Sequence, residues 1–277
     1  MENVSNITDI QAMMNRQADI FASLKRINAN ANERIRMPSA GYECPICHNR
    51  TYSFSEQWLD GYEPEGTIKL CRCRKSRSSI ANLHRSGLTI EGLKEFSFQA
   101  FTAEKTFQRQ MLDTALNFVA PIRKGVKQPC WLALLGASGS GKTHLCSAVS
   151  YELLRHGYRL HYMNWVEQYR DVITDSNFET LLKTVDVLYI DDFFKTAKDD
   201  EGKQKPSASE TRIAFQIINS RYLAKKMTII SSESFMSELY EIDNATASRI
   251  YQMCRGDEYC VNIAKVADEN RNYRMSV

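Results

Sequence analysis

Apolar residues recur along this chain in two rhythms, and the places where one gives way to the other mark its parts. Between residues 8 and 36, Ile10, Met13, Met14, Phe21, Leu24 and Ile27 return at roughly helical spacing with charged residues between them, which predicts an amphipathic helix. The rhythm stops over residues 40 to 76. There glycines, the proline of ECPIC and cysteines at both edges predict a small loop-rich module. A connector, SGLTIEGLKEFSFQAFTAE, carries scattered aromatics into a predicted helix at 104–123. Short apolar runs then predict strands at 130–135, 158–163, 185–190, 227–232 and near 259–263. Between them lie a predicted helix at 142–155, helical turns over 165–184, a helix near 208–224 and two short helices before the last strand. Strands alternating with helices imply an α/β fold, a parallel sheet between helices. The stretch KDDEGKQKPSAS, 198–209, reads as a solvated loop.

Length and composition narrow this picture. With 277 residues, 43% of them hydrophobic, the chain can bury one domain of about 150–200 residues and a smaller appendage, divided here as 86–277 and 1–85. No run approaches the roughly 18 apolar residues of a membrane helix, and the polar start MENVSNITDIQ lacks the features of a signal peptide. A cytoplasmic protein with no membrane partner is expected. Its eight cysteines would then be metal ligands or core residues rather than disulfides. A net charge of +3 is too small to announce a nucleic-acid binder, so any such contact must rest on local clusters.

The strongest local chemistry lies in LALLGASGSGKTHL. Gly136 through Thr143 match G-x-x-x-x-G-K-[ST], a loop whose backbone N–H groups surround phosphate oxygens where side chains would obstruct them. Lys142 would reach the β- and γ-phosphates, Thr143 would bind Mg²⁺, and the following helix aims its positive end at the anion. In VDVLYIDDFF an apolar strand ends in Asp191, placed beside Mg²⁺, and Asp192, placed to polarise a water. Hydrolysis of ATP is the expected outcome. Asp192 is one methylene shorter than the usual Glu, which predicts slow or partner-dependent turnover. One strand, YRLHYM, falls in the chain between loop and acidic strand, as expected if an extra strand is inserted between the phosphate-loop strand and the Asp-bearing strand, an arrangement of mechanical ATPases. Ser231, Ser232 and Glu233 end a later strand, where they could sense the γ-phosphate or simply satisfy the strand end. Arg249 could reach a neighbour's γ-phosphate or form a surface salt bridge, and Arg255 and Arg274 compete for that role.

A second cluster precedes this domain. Cys44 and Cys47 form C-x-x-C, and Cys71 and Cys73 form C-x-C; four thiolates suit tetrahedral Zn²⁺, with His48 able to replace one, and free core thiols are the alternative. Cys130, Cys146, Cys254 and Cys260 read as packing. Lys69, Arg72, Arg74, Lys75 and Arg77, with Tyr52, Phe54, Trp58 and Tyr62, could contact nucleic acid, though such aromatics also fill small cores. In HYMNWVEQYRDV, Tyr162, Trp165, Tyr169 and Arg170 could meet a single strand or form a buried stripe.

Together, the cysteine module, the SGL…F connector, GASGSGKTHL, VLYIDDF and ASRIYQM resemble the DnaC/DnaI-type replicative helicase loaders, phage versions especially, and the related IstB transposition ATPases. The resemblance covers about residues 40 to 277. It implies an AAA+ P-loop ATPase domain behind a zinc-binding module with an N-terminal helix. It further implies a hexameric replicative helicase and single-stranded DNA as partners, with self-association through the ATP site. On this resemblance Gly136, Ala137, Ser138, Gly139, Ser140, Gly141, Lys142, Thr143, His144 and Asp191 would hold ATP and Mg²⁺. Asp192 would serve catalysis and Arg249 the contact in trans, while Glu233 is a further catalytic candidate from its place at the strand end. Glu233 stands where these families often carry Asn. An IstB-like helper on duplex DNA and a zinc-bearing DNA-binding regulator remain alternatives.

Overall fold

The computed structural model describes residues 52–59, 62–70, 82–83, 85–126, 130–195 and 205–263. The helix expected at 8–36, the expected zinc ligands Cys44, Cys47, Cys71 and Cys73 with His48 as a substitute, and Arg274 lie outside the described residues. The chain divides into two compact units, Met1–Arg74 and Lys75–Val277.

In the first unit, β1 (Tyr52–Leu59) and β2 (Tyr62–Leu70) pair antiparallel, Tyr52 opposite Leu70 and Phe54 opposite Ile68, with a register shift between Gln57 and Leu59. A loop-rich module was expected over this stretch. The period-two alternation of YSFSEQW carries the strand signal, and the neighbouring glycines and cysteines masked it.

The second unit follows the predicted order closely. Helix α1 (Ile90–Glu95), capped by Thr89, leads to α2 (Thr106–Arg123), whose first turn is closed by the Gln108 side chain accepting from the Glu104 and Lys105 amides. Next come β3 (Leu132–Gly136), α3 (Lys142–Arg155) and β4 (Leu160–Asn164). The predicted helical turns resolve into α4 (Trp165–Gln168), α5 (Asp171–Thr174) and α6 (Ser176–Thr184), the last capped by Asp175. Strand β5 (Val187–Asp191), α7 (Ala208–Leu223), β6 (Met227–Ser232), α8 (Met236–Ile242), α9 (Asn244–Met253) and β7 (Cys260–Ile263) complete it.

Five strands form one parallel sheet in the order β4, β5, β6, β3, β7. Every residue of β3, β5 and β6 is buried, the continuous apolar pattern of strands covered on both faces. An extra strand does stand between β3 and the acidic strand β5, but it is β6. Strand β4, which precedes β5 in the chain, lies at the outer edge. Cys130, Cys146, Cys254 and Cys260 are buried within this core. Among the described residues no helix is long and apolar enough to cross a membrane.

Candidate nucleotide site

Strand β3 delivers its last residue, Gly136, to a place with no room for a side chain. Gly136 has φ +106°, and a Cβ there would stand 2.1 Å from the Ile263 carbonyl oxygen of β7. The next amide, Ala137 N–H, donates to that same oxygen at 3.1 Å. At the far side of the loop, Gly141 caps α3 with φ +95°, and a Cβ would meet the Phe101 ring at 2.7 Å. Between them the Ser140 hydroxyl donates to the Ala137 carbonyl at 2.8 Å. The loop is thus pinned by β7 below and by an aromatic wall beside it. His144 belongs to that wall: its Nε2 lies 2.9 Å from the Ser97 carbonyl, and the rings of Phe96 and Phe101 meet it edge-on. Burial lowers the His144 pKa, which favours the neutral ring.

Lys142 is 7% exposed, and its Nζ donates to the Gly136 carbonyl at 3.0 Å and the Ala137 carbonyl at 2.7 Å. Burial pulls its pKa down to about 8, against the opposing pull of Glu233 and Asp192. The first residue of α3 therefore holds its ammonium under the loop, at the positive end of a 14-residue helix.

Asp191 closes β5 and gathers donors from four directions. Its Oδ1 accepts from the Thr143 hydroxyl at 3.1 Å, from Tyr189 at 2.9 Å and from Ser231; its Oδ2 accepts from Tyr162 at 3.3 Å. Burial, reinforced by this carboxylate, pushes both tyrosine pKa values up, so the phenols remain donors. The Thr143 hydroxyl and the Asp191 carboxylate are hard oxygen donors side by side, a donor pair that suits Mg²⁺ once phosphate oxygens and water complete the shell. Among the described residues no group of three or more His, Cys, Asp and Glu could hold a metal by itself, so such a cation would depend on the phosphates.

After Asp191 the backbone turns sharply. Asp192 and Phe194 take left-handed φ values of +54° and +56°, unusual for residues with a Cβ. The Ser231 carbonyl accepts from Phe193 N–H at 2.9 Å, and the buried rings of Phe193 and Phe194 stack on each other and meet Trp165 edge-on. The turn brings Lys195 back to Asp192, 3.1 Å away, and equally to Glu233 at 3.1 Å. Burial is the largest single influence and works against the Glu233 charge, but Lys195, by hydrogen bond and charge, together with Ser138 and Lys142 holds the pKa below the ordinary value. Lys195, Tyr189 and the hydroxyl of Ser231 toward Asp191 were not anticipated in these roles.

The remaining candidates sit elsewhere. Arg249 is engaged within its own chain: Nε donates to Asn219 at 3.0 Å, one terminal nitrogen to the Ala245 carbonyl at 2.7 Å, and the guanidinium lies over the Phe215 and Tyr222 rings. Arg255 pairs with Glu258 at 3.5 Å. Trp165 is fully buried and donates to Glu210 at 2.7 Å, so the stripe reading holds for it; Tyr169 stacks upon it, and Arg170 stands at the surface over Tyr169.

A family model described as IstB-like ATP binding protein matches residues 71–248. The phage-like element PBSX protein XkdC of Bacillus subtilis (strain 168) is 32% identical over 257 residues, covering 88% of this chain and 91% of that protein. The uncharacterized protein YqaM of the same strain is 31% identical over 211 residues, 73% of this chain and 64% of that protein, so less than two thirds of YqaM is spanned. Among solved structures, the DnaC helicase loader shares 20% identity at a TM-score of 0.50, over 60% of this chain and 96% of that chain, a likeness of fold.

Proposed function

Because the chain belongs to the IstB-like ATP binding proteins and carries an AAA+ P-loop fold, we propose that it is an ATPase that loads a hexameric replicative helicase onto single-stranded DNA. In this reading ATP joins neighbouring copies. The observation that supports it is the convergence of Lys142, Thr143, Asp191 and Asp192 around one glycine loop at the C-terminal ends of β3 and β5.

Each residue then has a defined task. Lys142 leaves the Gly136 and Ala137 carbonyls for phosphate oxygens, while the amides from Ala137 to His144 face the anion. Thr143 and Asp191 would hold Mg²⁺, which supplies charge neutralisation on the β- and γ-phosphates. Asp192 orients the attacking water and takes its proton as the new O–P bond forms and the bond to the β-phosphate oxygen breaks. Arg249, freed from Asn219, would stabilise that charge on a neighbour's nucleotide. Residues 1–85, with Zn²⁺ on Cys44, Cys47, Cys71 and Cys73, or His48 for one of them, would form the helicase contact, and 86–277 the ATPase.

A second reading, an IstB-like transposition helper on duplex DNA, draws on the same family match. Size-exclusion chromatography with Mg²⁺ and a non-hydrolysable ATP analogue distinguishes them. Co-elution with a hexameric replicative helicase, lost in Lys142→Ala, supports the loader. Binding to a duplex with no helicase in the complex supports the helper instead.

A further inference from the structure

Three carboxylates, Asp191, Asp192 and Glu233, gather at the ends of β5 and β6 beside a loop built for a polyanion. Asp191 accepts hydrogen bonds from the hydroxyls of Thr143, Tyr162, Tyr189 and Ser231. Asp192 and Glu233 are both paired with Lys195. Lys195 Nζ stands 3.1 Å from Asp192 Oδ2 and 3.1 Å from Glu233 Oε1, and the Glu233 carboxylate is also hydrogen-bonded to Ser138 of the loop. A continuous polar bridge therefore runs from Ser138 through Glu233 and Lys195 to Asp192.

The bridge is built by the backbone. Left-handed φ values at Asp192 and Phe194 fold the chain back, Lys195 N–H donates to the Asp192 carbonyl at 3.0 Å, and the Ser232 hydroxyl donates to the Phe193 carbonyl at 2.6 Å. With Phe193 and Phe194 buried, the turn has little freedom to carry Lys195 elsewhere. Strain kept in place by packing on both sides is the kind that accompanies a working site.

We propose that Lys195 is a further positioning residue of the nucleotide site, holding Asp192 and Glu233 as a fixed pair and cancelling the charge with which Glu233 would repel a triphosphate. This rests on the ATP reading above. Lys142 and Lys195 together face the three acids; without Lys195, one ammonium faces all three. Lys195 is 41% exposed, so solvent screening limits the electrostatic penalty to about tenfold in affinity.

Calorimetric titration of the full chain with Mg²⁺ and AMPPCP, beside steady-state ATPase kinetics, provides the test. Lys195→Met is expected to weaken AMPPCP about tenfold and to lower kcat, because Asp192 loses its partner. Adding Glu233→Gln to that variant is expected to restore affinity while kcat stays low, a split that a merely structural role would not produce. Lys195→Arg, which keeps the charge, should keep the affinity and serves if the Met variant does not fold. Wild-type affinity in Lys195→Met, no recovery in the double variant, or loss in Lys195→Arg would overturn the proposal. A folded wild-type chain that binds no AMPPCP would instead overturn the ATP reading beneath it.

Discussion

Burial draws the Lys142 pKa down to about 8, and a triphosphate alongside would drive it back up. The liganded chain then holds a proton that the free chain releases, so affinity is full below pH 8 and falls as pH rises through that value. A decline approaching about tenfold per pH unit is expected above it, with proton uptake on binding visible as a buffer-dependent heat; a flat profile between about pH 7 and 9.5 would count against the assignment. The same shift has a sign for stability. Between 8 and the ordinary 10.5 the unfolded chain binds more protons, so this group's contribution to folding rises with pH across that window. Gly136, Gly141, Lys142 and Thr143 could be grouped from the sequence because a glycine loop is local and its spacing carries the geometry, and Asp191 because it ends an apolar strand. Lys195 and Tyr189 were not. Lys195 reaches Asp192 through left-handed residues that no Gly or Asn announces, and Tyr189 is hidden inside an apolar run.

Elements were easier to foresee than their arrangement. A short apolar run placed β6 at its observed bounds, and the amphipathic run that begins at the glycine loop placed α3 likewise. Chain order alone could not place β6 between β3 and β5, because lateral order in a sheet is set by crossover packing. Two buried polar residues escaped notice as well. Arg221, fully buried, donates to Thr228 and to the carbonyls of Leu182, Val185 and Met227, tying the end of α6 to α7 and β6. Glu210, 2% exposed, accepts the Trp165 indole N–H and so fastens α4 to α7. Removing it in Glu210→Ala leaves that buried donor unsatisfied, with an expected loss of about 2 kcal/mol in denaturant unfolding; Glu210→Gln, which keeps an acceptor, should lose less than half of that. Equal losses would mean that the acceptor is irrelevant.

At the scale of the whole molecule, the question is how one copy addresses another. Arg249 is held by Asn219, the Ala245 carbonyl and two aromatic faces, so a trans contact requires it to exchange these for a phosphate. Arg249→Ala should leave AMPPCP affinity of the isolated chain within about twofold while reducing ATPase in the assembled state on the order of 10³-fold, read by sedimentation and phosphate release at rising protein concentration. Weakened binding at low concentration would instead mark Arg249 as a support of its own fold. Strand β7 brings these scales together. Its final carbonyl both receives the first amide of the phosphate loop and fills the space a side chain at Gly136 would need. The floor of the loop is therefore supplied by a strand well separated from it in the chain. A chain in which β7 is undocked loses the oxygen that fixes the Ala137 amide, so the shape of the glycine loop depends on the docking of β7.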